Sequence, residues 1–159
     1  MSFIVEDGTG VPNANSYVSV SRAEEILSDL GYDEFPSESD LIKGSLYIDI
    51  VLDPSSFILT DEQGLLWPRK PFTDNQGREV SGIPYALERA VSVISAAFMN
   101  EDLFDIEPAI RSESYGKRSV EFASAVSLLP GEVVSQITYL KTLGYGRSST
   151  SSVHLIRGD

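Results

Sequence analysis

The sequence has no cysteine, one histidine and one tryptophan, and its 24 acidic side chains outnumber its 12 basic ones two to one. Each shortage closes a route. Without thiols there is no disulfide framework and no thiolate chemistry. With no cysteine and His154 as the sole imidazole, most structural zinc sites and Cys/His nucleophile arrangements are excluded. No stretch approaches the roughly 18 apolar residues of a membrane span. The opening MSFIVEDGTG lacks the basic region and apolar core of a secretory signal. These features predict a soluble protein made in a cytoplasm, with no membrane partner.

The scarcity of positive charge says more. The net charge is −12 and the isoelectric point near 4.4. Proteins that grip nucleic acid neutralise phosphates with Lys and Arg and usually carry a basic stripe. An acidic surface does the reverse, and it keeps a protein soluble at high concentration.

What is present suits one folded domain. A chain of 159 residues with 42% hydrophobic content buries about two-thirds of its unfolded surface. Phe3-Ile4-Val5 is strand-like, and Asp7-Gly8 with the Gly10/Pro12/Asn13 cluster makes an irregular turn. Ser21 and Glu24 have the spacing of a capping box. Ala23, Ile26, Leu27 and Leu30 then form one apolar helical face, and Gly31 supplies a left-handed stop. A second helix begins at Pro36-Ser37, with Asp40 near its positive end. Its stripe is Leu41, Ile42, Ser45, Leu46, Asp49 and Ile50, and it ends at Asp53-Pro54.

Residues 55 to 82 read as an ordered loop, with a short helical turn as one option, anchored by Trp67. A third helix starts near Pro84. Leu87, Ala90, Val91, Ile94, Ala97 and Phe98 give it the wide apolar face of a central helix. IRSESYGKRSVEFAS alternates and turns at Gly116-Lys117, which predicts a β-hairpin with Val120 and Phe122 on one face. The last helix runs from about Pro130 to Leu143 with Val133, Val134, Ile137, Leu140 and Tyr139 inward and Gly144 as its cap. The expected fold is mainly α: a small bundle of about four helices, a hairpin at about 109–123 between the last two, and an extended C-terminal arm. The body is 1–144 and the arm 145–159.

No motif for catalysis, cofactor or metal emerges, so the chain is expected to be no enzyme. Asp49/Asp53 and Glu24/Glu25 are carboxylate pairs of the kind usually solvated at a surface. GTGVPN lacks the third glycine of a dinucleotide fingerprint, and GYGRSS follows a helix where a phosphate loop would open one. WPRKPF is the one local cluster of an aromatic with two bases. Trp67 stacking on a base while Arg69 and Lys70 hold phosphate is one reading. The other, which the net charge favours, makes Trp67 a plug under the loop with Arg69 paired to an acid.

Four segments in order, IVEDGTGVPNANSYVSVSRAEEIL, LLWPR, GREVSGIPYALERAV and SESYGKRSVEF, carry a resemblance. Across most of residues 3 to 143 the chain resembles tailed-bacteriophage head–tail connector (adaptor) proteins, often labelled DnaT-like single-stranded DNA-binding proteins. The adaptor resemblance implies a mainly helical virion protein of the phage neck. It implies a dodecameric ring of neighbouring copies under the portal protein, a downstream neck or tail protein, and DNA passing without specific binding. The other label implies a single-stranded DNA-binding replication accessory protein with a basic, aromatic-lined groove, and the sequence offers neither basic charge nor aromatic lining. The physical reading therefore sides with the adaptor.

The resemblance also implies a portal-docking C-terminal extension. Here the candidates are Tyr145, Arg147, Val153, His154, Leu155, Ile156 and Arg157. From residue 145 onward the arm reaches about 50 Å when extended, against a body about 40 Å across. Its serine-threonine run supplies flexibility. Val153 to Arg157 suits strand addition to a partner sheet, with Val153 and Leu155 facing one way and His154 and Ile156 the other. Several arms on one ring gain by effective concentration. Deleting residues 147 to 159 should leave the body folded and abolish portal binding. Trp67, Arg69, Tyr115, Lys117 and Arg118 are candidates for inter-subunit or neck contacts. For the hairpin, packing on the bundle is an equal alternative.

Overall fold

Ten of the fourteen residues of the helix Tyr85–Phe98 are buried, so the other helices are arranged around it. The computed structural model describes residues 2–106 and 129–147. Among these the order is α1 (Val20–Asp29), α2 (Glu38–Leu52), β1 (Phe72–Thr73), β2 (Glu79–Val80), α3 (Tyr85–Phe98), a 3-10 turn (Leu103–Asp105) and α4 (Gly131–Leu143). Helix α3 packs against α1, α2 and α4, and α2 also touches α4. The fold is a small, mainly helical bundle, as the apolar periodicity predicts. No helix among the described residues is long and apolar enough to cross a membrane.

The helix ends follow local chemistry. Helix α1 is capped one residue pair earlier than expected: the Ser19 hydroxyl accepts the Arg22 N–H at 3.1 Å, and the Ser21/Glu24 box does not form. Its end is the expected one. Gly31 takes φ +96°, and the Tyr32 N–H reaches back to the Leu27 carbonyl at 2.9 Å while the Tyr32 ring packs near Leu27, closing the helix through a left-handed residue. Helix α2 has a reciprocal capping box, Ser37 with Asp40, and stops at Asp53, left-handed before Pro54.

The buried face of α2 is Leu41, Gly44, Ser45, Tyr47, Ile48 and Leu52, while Leu46 and Ile50 are exposed. The expected stripe was rotated because small residues, not large ones, face α3. A Cβ on Gly44 would lie 2.0 Å from Ser95 Oγ and 3.1 Å from Ser95 Cβ, so the two helices meet where side-chain bulk is least. In α4, Val133, Leu140 and Leu143 are buried and Val134 and Ile137 partly so, but Tyr139 is exposed, contrary to expectation. Leu30 of α1 is exposed as well.

The hairpin expected at about 109–123 lies outside the described residues. A small antiparallel hairpin occupies part of the stretch read as a loop, between α2 and α3, with Phe72 opposite Val80 and Thr73 opposite Glu79. Its turn is built on Asp74, whose Oδ1 accepts the N–H groups of Gln76 and Arg78. Backbone bonds hold the rest of the loop. The Lys70 N–H donates to the Phe57 carbonyl at 2.7 Å and the Gly64 N–H to the Val11 carbonyl at 3.1 Å. The N-terminal turn is organised by Glu6, buried, whose carboxylate accepts the N–H groups of Gly8, Gly10 and Val11 at 2.8–2.9 Å.

Candidate interaction site

Trp67 is 1% exposed. Its ring lies 5.3 Å from Tyr145 and 5.9 Å from Phe72, so α4's exit, the hairpin and the loop share one aromatic joint. The joint continues as a polar chain. The Trp67 backbone N–H donates to the Tyr17 hydroxyl at 3.1 Å, and that hydroxyl donates to Asp49 Oδ1 at 2.5 Å. Asp49 Oδ2 accepts the Leu66 N–H at 3.1 Å. Burial outweighs these bonds and pushes the Asp49 carboxyl up to about 6; burial, then the Asp49 charge, raises the Tyr17 phenol well above its usual range. Asp49 is therefore a half-buried group bonded into the fold, while Asp53 is exposed, so the expectation of a solvated Asp49/Asp53 pair is corrected for Asp49.

Arg69 is buried too. Its guanidinium donates to Ser56 Oγ at 3.0 Å, to the Leu66 carbonyl at 2.9 Å and to the Ser56 carbonyl. It holds the loop to itself through carbonyls and a hydroxyl, with no carboxylate salt bridge among the described residues. Trp67 and Arg69, candidates for inter-subunit contact, are thus internal supports.

Two arm candidates also belong to the body. Tyr145 is buried beside Trp67. Arg147 is exposed, but its N–H donates to the Asp53 carbonyl at 2.9 Å and its guanidinium lies 3.6 Å from the Asp53 carboxylate. Between them, Gly146 leaves no room for a side chain, since a Cβ there would fall 1.8 Å from the Leu52 carbonyl oxygen. Tyr115, Lys117, Arg118, Val153, His154, Leu155, Ile156 and Arg157 lie outside the described residues.

The surface that does present aromatic and cationic groups was not among the candidates. Tyr85 opens α3, Arg89 stands one turn later on the same face, and Tyr139 comes from α4, which packs on α3. The Arg89 guanidinium lies 5.0 Å from the Tyr139 ring centre and 5.7 Å from that of Tyr85. Both rings are more than two-fifths exposed. Arg22 of α1 also lies over Tyr85 and bridges Glu25 and Glu88. A cleft of about 370 Å³ adjoins these residues, with Val80, Pro84, Ala86 and Leu143 in its walls and Arg78 at its edge. Arg78 is paired with Asp74, whose carboxyl is held low first by the Arg78 backbone N–H. Among the described residues Arg89 has no carboxylate partner, and its Nε is buried without an acceptor. A cation between two π faces, with donors left over, suits an acceptor-bearing partner. The spacing that could have shown it is Tyr85 to Arg89 at i, i+4 in IPYALER.

A family model described as "Putative DnaT-like ssDNA binding protein" matches residues 1–158. The chain belongs to this family. No curated protein matches the chain, and no solved structure does. Trp67, 1% exposed, presents no face on which a base could stack.

Proposed function

We propose that this DnaT-like protein is a non-enzymatic virion structural protein, a head–tail adaptor that docks on a portal protein and stands beside copies of itself around a DNA channel in a phage neck. The observation that supports it is electrostatic. Acids outnumber bases two to one, and the described arginines are largely engaged: Arg22 by Glu25 and Glu88, Arg78 by Asp74, Arg147 by Asp53, and Arg69 by carbonyls of its own loop. Acidic groups dominate the charge of the chain, which disfavours displacing counterions from phosphate, so a wall of this kind lets DNA slide. The arm after residue 147 is the portal-docking element in this reading, and a downstream neck or tail protein meets the opposite side of the assembly.

A second reading is single-stranded DNA binding in replication. The family description favours it over the adaptor, and the half-exposed Tyr85 and Tyr139 beside Arg89 are where it would act. Base stacking on such rings contributes about 1–3 kcal/mol per base. A titration of labelled oligonucleotide at low and physiological salt separates the readings. The adaptor reading expects no saturable binding at either. Submicromolar affinity that falls steeply with salt and is lost on Tyr85→Ala would replace it.

A further inference from the structure

We infer that the hollow beside Phe57 is the seat of the protein's own arm, with Val153 to Ile156 packed into it whenever the arm is not engaged elsewhere. The inference concerns the free subunit and holds under either reading of function.

Phe57 is 75% exposed, the most exposed large apolar side chain among the described residues. With Ile50, Pro54, Ile58 and Leu66 it lines a hollow of about 700 Å³. Ile50 and Leu66 are exposed as well, and exposed Leu46 stands one turn before Ile50 on α2. An apolar patch of this kind marks a contact surface. The charged groups of the lining are already engaged: Asp53 with Arg147, Asp49 with Tyr17 and the Leu66 N–H, and Arg69 with Ser56 and the Leu66 carbonyl. The hollow therefore suits an apolar occupant, not an ionic one.

It also offers a backbone edge. Ile58 forms a single antiparallel bridge with Arg69, made by the flanking bonds from the Lys70 N–H to the Phe57 carbonyl and from the Leu59 N–H to the Pro68 carbonyl. In such a pair the two bridged residues turn their own N–H and carbonyl away from each other. Those of Ile58 have no partner among the described residues. An extended segment laid there gains main-chain bonds and an apolar contact together.

The chain delivers such a segment to this place. Arg147 is bonded to Asp53 through its N–H and its guanidinium, and Asp53 is part of the hollow's lining. Residues 148–152 are serine and threonine, and Val153, Leu155 and Ile156 are the large apolar residues of 148–159. The steps from Arg147 to Val153 reach about 20 Å when extended, enough to enter a hollow that begins at Asp53. A tether that short holds the segment at a local concentration on the order of millimolar, which a separate molecule would have to match. Ordering the tether offsets much of the gain. The seat is therefore shallow: it opens well before the body melts, and a partner that binds the arm displaces it.

Phe57→Cys tests this in a protein with no other thiol. In dilute solution, modification of that thiol should be about fivefold slower in the full chain than in a chain ending at Arg147, because the seat must open first. Leu155→Asp in the full chain should restore the fast rate. Leu66→Cys should behave alike with the Phe57 ring in place. Tyr139→Cys, whose cleft shares no residue with the hollow, should react equally in both chains. Circular dichroism confirms that each variant folds. Equal rates at Phe57→Cys and Leu66→Cys in the two chains, or rates indifferent to Leu155→Asp, overturn the inference. So does protection that fades on dilution, which would mean the arm of a second copy. Portal association without protection would sink the seat and leave the adaptor reading standing. Protection without portal association would do the opposite.

Discussion

Asp49 shows how one side chain can join three distant parts of the chain. It sits on α2, accepts a hydrogen bond from the Tyr17 hydroxyl in the N-terminal segment, and accepts an N–H from the loop at Leu66. Because burial lifts its carboxyl to about 6, the folded state binds a proton more readily than the unfolded chain, whose value is near 3.9. The stabilisation from that uptake is complete below the unfolded value and is lost as pH rises through about 6. Lowering pH from about 7 to about 5 should therefore stabilise the parent protein relative to Asp49→Asn, since the comparison cancels the remaining acids. Urea midpoints at the two pH values check this, and parallel curves would contradict it. Tyr17→Phe removes a hydroxyl that both donates to Asp49 and accepts from the Trp67 N–H. Leaving those groups without a partner should cost about 1–3 kcal/mol, read as a lower urea midpoint at unchanged slope.

Between elements, Gly44 and Gly146 are two of the tight places. Gly44→Ala sets a methyl against Ser95 where α2 crosses α3 and should cost about 1–3 kcal/mol by overpacking. Ser95→Ala should be close to neutral, because the Ser95 hydroxyl is buried without a partner. Thermal melts of both variants test the pair. Gly146→Ala would strike the Leu52 carbonyl and should lower hydrogen-exchange protection of the Arg147 N–H about tenfold or more. Such features explain what the sequence could and could not disclose. Helix positions were legible because Leu87 to Phe98 and the Ser37, Gly31 and Gly144 boundaries repeat local rules. The face of α2 was not, because Gly44 and Ser45 are weak hydrophobic signals whose value lies in what packs against them. Asp49 reads as surface until Tyr17, Leu66 and Trp67 are brought to it from elsewhere in the chain. The cleft was missed for the same reason: Tyr139 looked inward on its own helix, and only the packing of α4 on α3 sets it beside Arg89.

For the molecule as a whole, the adaptor reading puts the division of labour after residue 147. A chain ending there should melt like the full-length protein, since Tyr145, Gly146 and Arg147 keep their contacts with Trp67, Leu52 and Asp53. In the adaptor reading it should also fail to co-purify with portal protein. Retained association would move the docking surface onto the body. Those same three residues set how the protein bears load. Tension on anything attached beyond Arg147 arrives first at the Asp53 clip and then at the Tyr145 ring wedged by Trp67. In the adaptor reading, a pull on the arm meets these small contacts before it meets the packed helices, so the joint is the place expected to give first.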